Sequence, residues 1–284
     1  MTRPRPNLND DSDTELMDQL ALRFLAPKPA AALPWPAAGR TLSVNVQTPS
    51  GWPDGSQVNV ACHVMGQGPA VLLVHGWQSQ AAHLGSLAQA LVAAGFTVWA
   101  PDLPAHGHSE GAYLSIPLAA EALHAVSRAA GAFHVAVAHS LGGAVLVHAL
   151  TQGLRADRMV LLAPPTHYGA HARRFAREAG LPDAHVSAWL ARLERLIGIS
   201  PDEINMVKQV ASLKQKAILM HSSDDPVVSF SATKAVVQAW PQAHWHQLEG
   251  LGHFRILADR EVIGKVVQAA SARHGPESGP GAPQ

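Results

Sequence analysis

Short apolar runs alternate with helical spacings through the middle of the chain. Val71–Val74, Thr97–Ala100, His134–Ala138, Met159–Ala163 and Ala217–His221 are continuous enough to read as strands buried on both faces. After the first run, Leu84, Leu87 and Leu91 recur at helical spacing, and Leu118, Ala122 and Val126 do so after the second. Leu141–Leu150 follows the third as a further helix. Ahead of these units, Leu42–Gln47 and Gln57–Val64 read as an antiparallel edge pair, with the turn signal Pro53-Asp54-Gly55 between them. His244 and His246 alternate on one more strand near the end. The order predicts an α/β fold, with a mostly parallel central sheet and helices on both faces.

The rhythm breaks between residues 164 and 213. His171–Ala179, Asp183–Ile197 and Asp202–Ala211 read as helices with no strand between them. A helical insertion between two parallel strands has to sit outside the sheet, and the carboxyl ends of the strands, where open α/β sheets bind ligands, are the place for it. It is expected to be a small lid. Phe175, Trp189, Leu193, Ile197 and Met206 offer it apolar walls, although most of them are better explained as its own packing face. The expected organisation is an extension and linker over 1–40, with one short helix at Thr14–Phe24, then a main domain over 41–272 and a flexible Gly-, Pro- and Ser-rich tail over 273–284.

Composition narrows the function classes. Of 284 residues 47% are hydrophobic and 15% charged, enough for one large core. Lys plus Arg equals Asp plus Glu at 21 each, which gives no electrostatic case for nucleic acid. No apolar run approaches the roughly 20 residues of a membrane span, and the first residues lack the apolar stretch of a signal peptide. One cysteine, Cys62, allows no internal disulfide. The reading is a soluble, cytoplasmic protein. The 17 histidines raise the question of a metal, yet His167 with His171 and His244 with His246 lack an evident third ligand, so no metal and no cofactor are assigned.

Chemistry concentrates in four passages. Val135-Ala136-Val137-Ala138-His139-Ser140-Leu141-Gly142-Gly143 runs from a strand into a small-x-Ser-x-Gly turn and at once into a helix. Such a turn lifts a serine oxygen clear of the backbone, making Ser140 the expected nucleophile, and the helix start leaves the Leu141 N–H free for an oxyanion. Helix capping by Ser140 is the simpler alternative, weakened by the strand before and the helix after. In Val74-His75-Gly76-Trp77 a buried strand ends on a loop whose Trp77 N–H is the second expected oxyanion donor, with His75 orienting the loop. A serine hydroxyl needs a base and an acid to orient that base. His221-Ser222-Ser223-Asp224-Asp225-Pro226 follows a late strand and offers Asp225 as the acid, with Asp224 as the fallback. Gly250-Leu251-Gly252-His253 places His253 on a loop before the last helix as the base.

Together these passages resemble the α/β-hydrolase superfamily over residues 57–272, and in particular its bacterial esterase- and lipase-like members. Asp102-Leu-Pro-Ala-His-Gly-His-Ser109 is similar to the turn after the fourth strand of that fold, with His106 and Ser109 holding the loop. The sequence departs from the family pattern at Ala138 and Ser222, where glycine is common, and at Ser229, where proline is common. The resemblance implies a serine hydrolase, first of all a carboxylic ester hydrolase working through Ser140, Asp225 and His253 and an acyl-enzyme, on a small molecule with an apolar part. Cleavage of a C–C bond, thioester or amide, acyl transfer, and a non-catalytic binder remain as alternatives. The oligomeric state is not legible.

Overall fold

The computed structural model describes residues 10–28, 30–35 and 39–272; the expected tail lies outside them. Among the described residues eight strands form one sheet: β1 (Arg40–Gln47), β2 (Gln57–Met65), β3 (Ala70–Val74), β4 (Thr97–Pro101), β5 (Phe133–His139), β6 (Ala156–Leu162), β7 (Lys216–Ser222) and β8 (Ala243–Leu248). Their order is β1-β2-β4-β3-β5-β6-β7-β8, and only the β1–β2 and β2–β4 pairings are antiparallel. This is the expected α/β-hydrolase arrangement, including the edge pair, although Thr48–Ser56 makes a wider connection than a tight hairpin.

Strand periodicity divides the core between the two faces. Val71, Leu73, Val135, Val137, Val160 and Leu162 pack on one side, and Leu72, Val74, Ala136, Ala138, Met159 and Leu161 on the other. The helices are α1 (Asp10–Leu25), α2 (Gly85–Ala93), α3 (Ile116–Ala130), α4 (Leu141–Thr151), α5 (Tyr168–Glu178), α6 (Asp183–Ile197), α7 (Met206–Val210), α8 (Phe230–Ala239) and α9 (Arg260–Ser271). Helices α2 and α9 cover the first face through Leu87, Leu91, Val262 and Val266. Helices α3, α4 and α8 cover the second, through residues such as Leu123, Val147 and Val236.

The insertion between β6 and β7 is helical, as expected, but its last helix is short. Asn205 caps α7, its side chain accepting from the Lys208 N–H, and the chain before it turns through Ser200–Glu203 rather than winding into a helix. Helix α1 packs on this insertion. Phe24 meets Tyr168, His171, Phe175 and Trp189 at centroid distances of 5.1–5.7 Å. Arg192 on α6 reaches Asp18 at 2.5 Å. The connection after α1 is also held: Gln80, nearly buried, donates to the Ala31 carbonyl and accepts from the Leu33 N–H.

Candidate active site

Strands β3 and β5 lie side by side at the point where strand order reverses, so the loops leaving them open into a common crevice. Ser140 occupies the turn after β5 with φ 51° and ψ −129°. A non-glycine residue in that region stores about 1–3 kcal/mol of backbone strain, which the surrounding packing must hold. Its side chain makes no capping bond to α4, so helix capping does not explain it. Gly142 is required where it stands, because a Cβ there would lie 2.4 Å from the His75 carbonyl oxygen. Gly76 faces Ser140 closely as well; a Cβ on it would be 2.8 Å from the Ser140 Cβ.

His253 lies beyond β8 and Asp225 beyond β7. The Ser140 hydroxyl is 3.0 Å from His253 Nε2, and His253 Nδ1 is 2.7 Å from Asp225 Oδ2. The three side chains thus form one hydrogen-bonded chain, brought together from three loops at one end of the sheet. The Asp225 side chain is fully enclosed. Burial alone would raise its carboxyl, but the Val228 N–H, His253 and the Val227 N–H together outweigh burial and hold it below the ordinary carboxylate value.

Asp224 points elsewhere. It is partly exposed and accepts from the Ser222 hydroxyl and, at 3.1 Å, from the Gly252 N–H. The Ser222 hydroxyl also accepts from the Leu251 N–H at 3.1 Å. Ser222 and Asp224 therefore tie the acid turn to the histidine loop, a contact that glycine at position 222 could not make.

Leu141 opens α4, where the N–H has no intrahelical acceptor, and both Leu141 and Trp77 line the same cavity as Ser140. The Trp77 loop is fastened by imidazoles. His75, fully buried, donates from Nδ1 to the Gly76 carbonyl and accepts the Leu103 N–H at Nε2, 2.8 Å each. Desolvation pushes its pKa down to about 3, so it is neutral and fixed in one tautomer. His106 donates to the Pro104 carbonyl and accepts the Gln78 N–H. Ser109 donates to the Asp102 carbonyl and accepts from the Ala61 N–H at 2.9 Å.

Two neighbours of the site escape a reading of the sequence. His221 places Nε2 3.0 Å from Asp225 Oδ2 and Nδ1 2.8 Å from the Thr233 hydroxyl, so the same carboxylate oxygen serves two imidazoles. The His139 ring lies against that of His253, tilted at 45° with centroids 4.8 Å apart, and donates from Nε2 to the His253 carbonyl. Desolvation lowers the His139 pKa to about 4. The available signal was a polar residue at the end of an otherwise apolar strand, directly before Ser140 in one case and before the acid turn in the other.

The cavity over Ser140 has a volume of about 540 Å³. Phe24, Ile116, Ala144, Tyr168, Met206 and Val227 supply apolar wall, while Gln209, His171 and Arg174 are among its polar groups. Of the five insertion residues considered as walls, Met206 reaches the cavity; Trp189, Leu193 and Ile197 pack within the core instead, and Phe175, half-buried, packs against it. His171 Nδ1 accepts from Arg174, and His167 stands at the N-cap of α5.

A mostly parallel sheet with a serine at the strained turn after a central strand, and an acid and a histidine on later loops, defines a fold of the hydrolase class. A model of the alpha/beta hydrolase family matches residues 71–265, and the chain belongs to that family. The pimeloyl-[acyl-carrier protein] methyl ester esterase of Xanthomonas campestris pv. campestris is 35% identical over 125 residues, 43% of this chain. The matched segment spans 44% of that relative's length. Among solved structures, an esterase of Pyrococcus furiosus superposes with a TM-score of 0.63 at 17% identity, covering 86% of this chain and 97% of its own. A bromoperoxidase from Bacillus anthracis superposes with a TM-score of 0.61 at 16% identity, covering 81% and 99%. Likenesses at that identity concern the fold, and two differently named activities on one fold leave the reaction to be argued from the site.

Proposed function

We propose that the protein is a serine esterase that hydrolyses carboxylic esters with an apolar acyl part through an acyl-enzyme. The observation that carries this reading is the Ser140–His253–Asp225 chain, set on a strained turn in the floor of a largely apolar cavity. The Xanthomonas relative, by its name a methyl ester esterase, supports ester chemistry.

In this mechanism Ser140 Oγ attacks the ester carbonyl carbon while His253 Nε2, 3.0 Å away, takes its proton. Asp225 keeps the Nδ1–H tautomer in place and stabilises the imidazolium. The N–H groups of Trp77 and Leu141 receive the oxyanion, where loss of one donor costs about 3–4 kcal/mol of transition-state stabilisation. His253 then returns the proton to the departing alcohol. A water, deprotonated by the same imidazole, attacks the acyl carbon; the carboxylic acid leaves and Ser140 regains its hydrogen. Helices α5–α7 act as a lid that excludes bulk water and, with Phe24 and Met206, contacts the acyl chain.

A fluorophosphonate probe tests the nucleophile: wild type is labelled and Ser140→Ala is not. Absence of labelling in folded wild type, or equal labelling of the variant, removes Ser140 from the role. A chain-length series of aryl esters tests the reaction, and negligible turnover across the whole series refutes the esterase reading.

A further inference from the structure

Away from the Ser140 cavity, three potential ligands converge where β2 meets the end of β4. Antiparallel pairing sets His63 opposite Ala100, and the Asp102 N–H donates to the Ala61 carbonyl at 2.9 Å, which holds the start of the 102–109 loop against β2. The loop then returns. The His108 N–H donates to Asp102 Oδ2 at 2.8 Å, and its ring Nδ1 stands 3.3 Å from the same oxygen. His63 Nε2 approaches that oxygen to 3.2 Å. One donor atom from each of the three residues lies within 4.8 Å of the other two.

We propose that His63, Asp102 and His108 bind a single zinc ion, through His63 Nε2, Asp102 Oδ2 and His108 Nδ1. Zinc takes imidazole nitrogen and carboxylate oxygen at about 2.0–2.2 Å in tetrahedral geometry, which sets neighbouring ligands about 3.3 Å apart. The two nitrogen–oxygen separations, 3.2 and 3.3 Å, already match that spacing. Two imidazoles with one carboxylate favour zinc over magnesium or calcium, which select oxygen sets.

The surroundings are arranged as metal ligands require. The Thr41 hydroxyl sits 2.9 Å from His63 Nδ1, and Trp35 stacks on the His63 ring at 5.2 Å and 14°. Asp102 Oδ1 is fixed separately by the Ala81 N–H at 2.7 Å. Such outer contacts orient first ligands and tune their affinity. His63 and Asp102 are buried, with side-chain exposures of 4% and 1%, while His108 is 43% exposed. Its side gives the ion an entry path and leaves the fourth position to water.

The metal-free state is equally satisfied, so the site can exchange its ion without unfolding. His63 then donates from Nε2 to Asp102 and accepts the Thr41 hydroxyl at Nδ1. On binding zinc the imidazole proton moves to Nδ1, the Thr41 hydroxyl turns to accept it, and Nε2 becomes the ligand.

Equilibrium dialysis of the full chain against zinc, followed by elemental analysis, is the direct test, with cobalt(II) absorption as the geometric one. Wild type should retain one ion per chain and give the intense visible bands of tetrahedral cobalt. His108→Ala, a change at a half-exposed side chain, should lose both. Thr41→Val should keep the spectrum and weaken zinc binding about 10- to 100-fold, as removal of an outer partner does. Failure of wild type to retain zinc overturns the proposal, as do equal retention and an unchanged cobalt spectrum in His108→Ala. Ester turnover plays no part in any arm.

Discussion

Mild acid should destabilise this protein through its buried histidines, well before any carboxylate takes part. His75 is fully buried and His139 almost so, and desolvation lowers their pKa values from 6.5 to about 3 and about 4. In the unfolded chain both return to the ordinary value. A folded pKa depressed in this way means that the unfolded state binds more protons, so stability present above pH 6.5 is lost as pH falls toward the folded values. At about pH 5, 1.5 pH units below 6.5, each unfolded imidazole has gained about 2 kcal/mol by protonation that its folded counterpart has not. The two together predict a loss of about 4 kcal/mol between about pH 7.5 and pH 5. That figure depends only on the folded values lying well under 5. Asp102 and Asp225 are held below 3.8, so their contribution stays intact in this window and is lost only as pH falls below that value. Urea denaturation followed by tryptophan fluorescence at the two pH values measures the loss. His75→Asn and His139→Gln should each flatten the pH dependence by about 2 kcal/mol, whatever they cost at pH 7.5. Equal stability at both pH values, or a loss that neither substitution reduces, refutes the reasoning.

Three further outcomes are expected. Phe24→Ala removes a buried ring shared by α1, the insertion and the cavity wall; it should cost about 3 kcal/mol in urea denaturation and move the preferred acyl length of an aryl-ester series upward. Asp225→Asn should lower kcat about 10⁴-fold by releasing the imidazole tautomer, whereas Asp224→Asn should keep kcat close to wild type in the same assay. Gly142→Ala forces a Cβ against the His75 carbonyl at 2.4 Å, and thermal melting should show a loss of about 1–3 kcal/mol.

The parts of this molecule that are legible in its sequence are those whose information is contiguous. Strand positions follow from apolar runs, and the observed ranges differ from the expected ones by a residue or a few at the ends, because hydrogen-bonded pairing carries strands past their apolar cores, as at Ala156–Leu162. The Ser140 turn is legible because strand, serine and helix adjoin in the chain. The third insertion helix, expected over Asp202–Ala211, is confined to Met206–Val210, because a turn at Ser200–Glu203 and the Asn205 cap take up its first residues. Helix α1 was visible as a helix, yet nothing in Thr14–Phe24 announces that Phe24 reaches a cavity shaped by residues 116, 168 and 206.

The histidines show most clearly where contiguity runs out. One imidazole can donate at one nitrogen and accept at the other, so a buried neutral histidine joins two backbone segments that no helix or strand connects. His75 and His106 do this between the loops after β3 and β4. His221 links Asp225 to Thr233, and His139 reaches the His253 carbonyl. Each contact depends on a partner distant in sequence or on the direction of a strand end, so residue type and spacing do not reveal what these histidines join, even though chain order already offers His253 as the base. What separates them is the reacting oxygen: His253 alone of these holds Ser140 Oγ within hydrogen-bond reach. An abundance of histidine in such a fold is therefore first a record of how the loops at the strand ends are fastened. On the readings proposed above, the catalytic role falls to the histidine within reach of Ser140 Oγ, and the metal role to His63 and His108, which approach Asp102 Oδ2 beside a half-exposed imidazole, unlike the enclosed pair on Asp225.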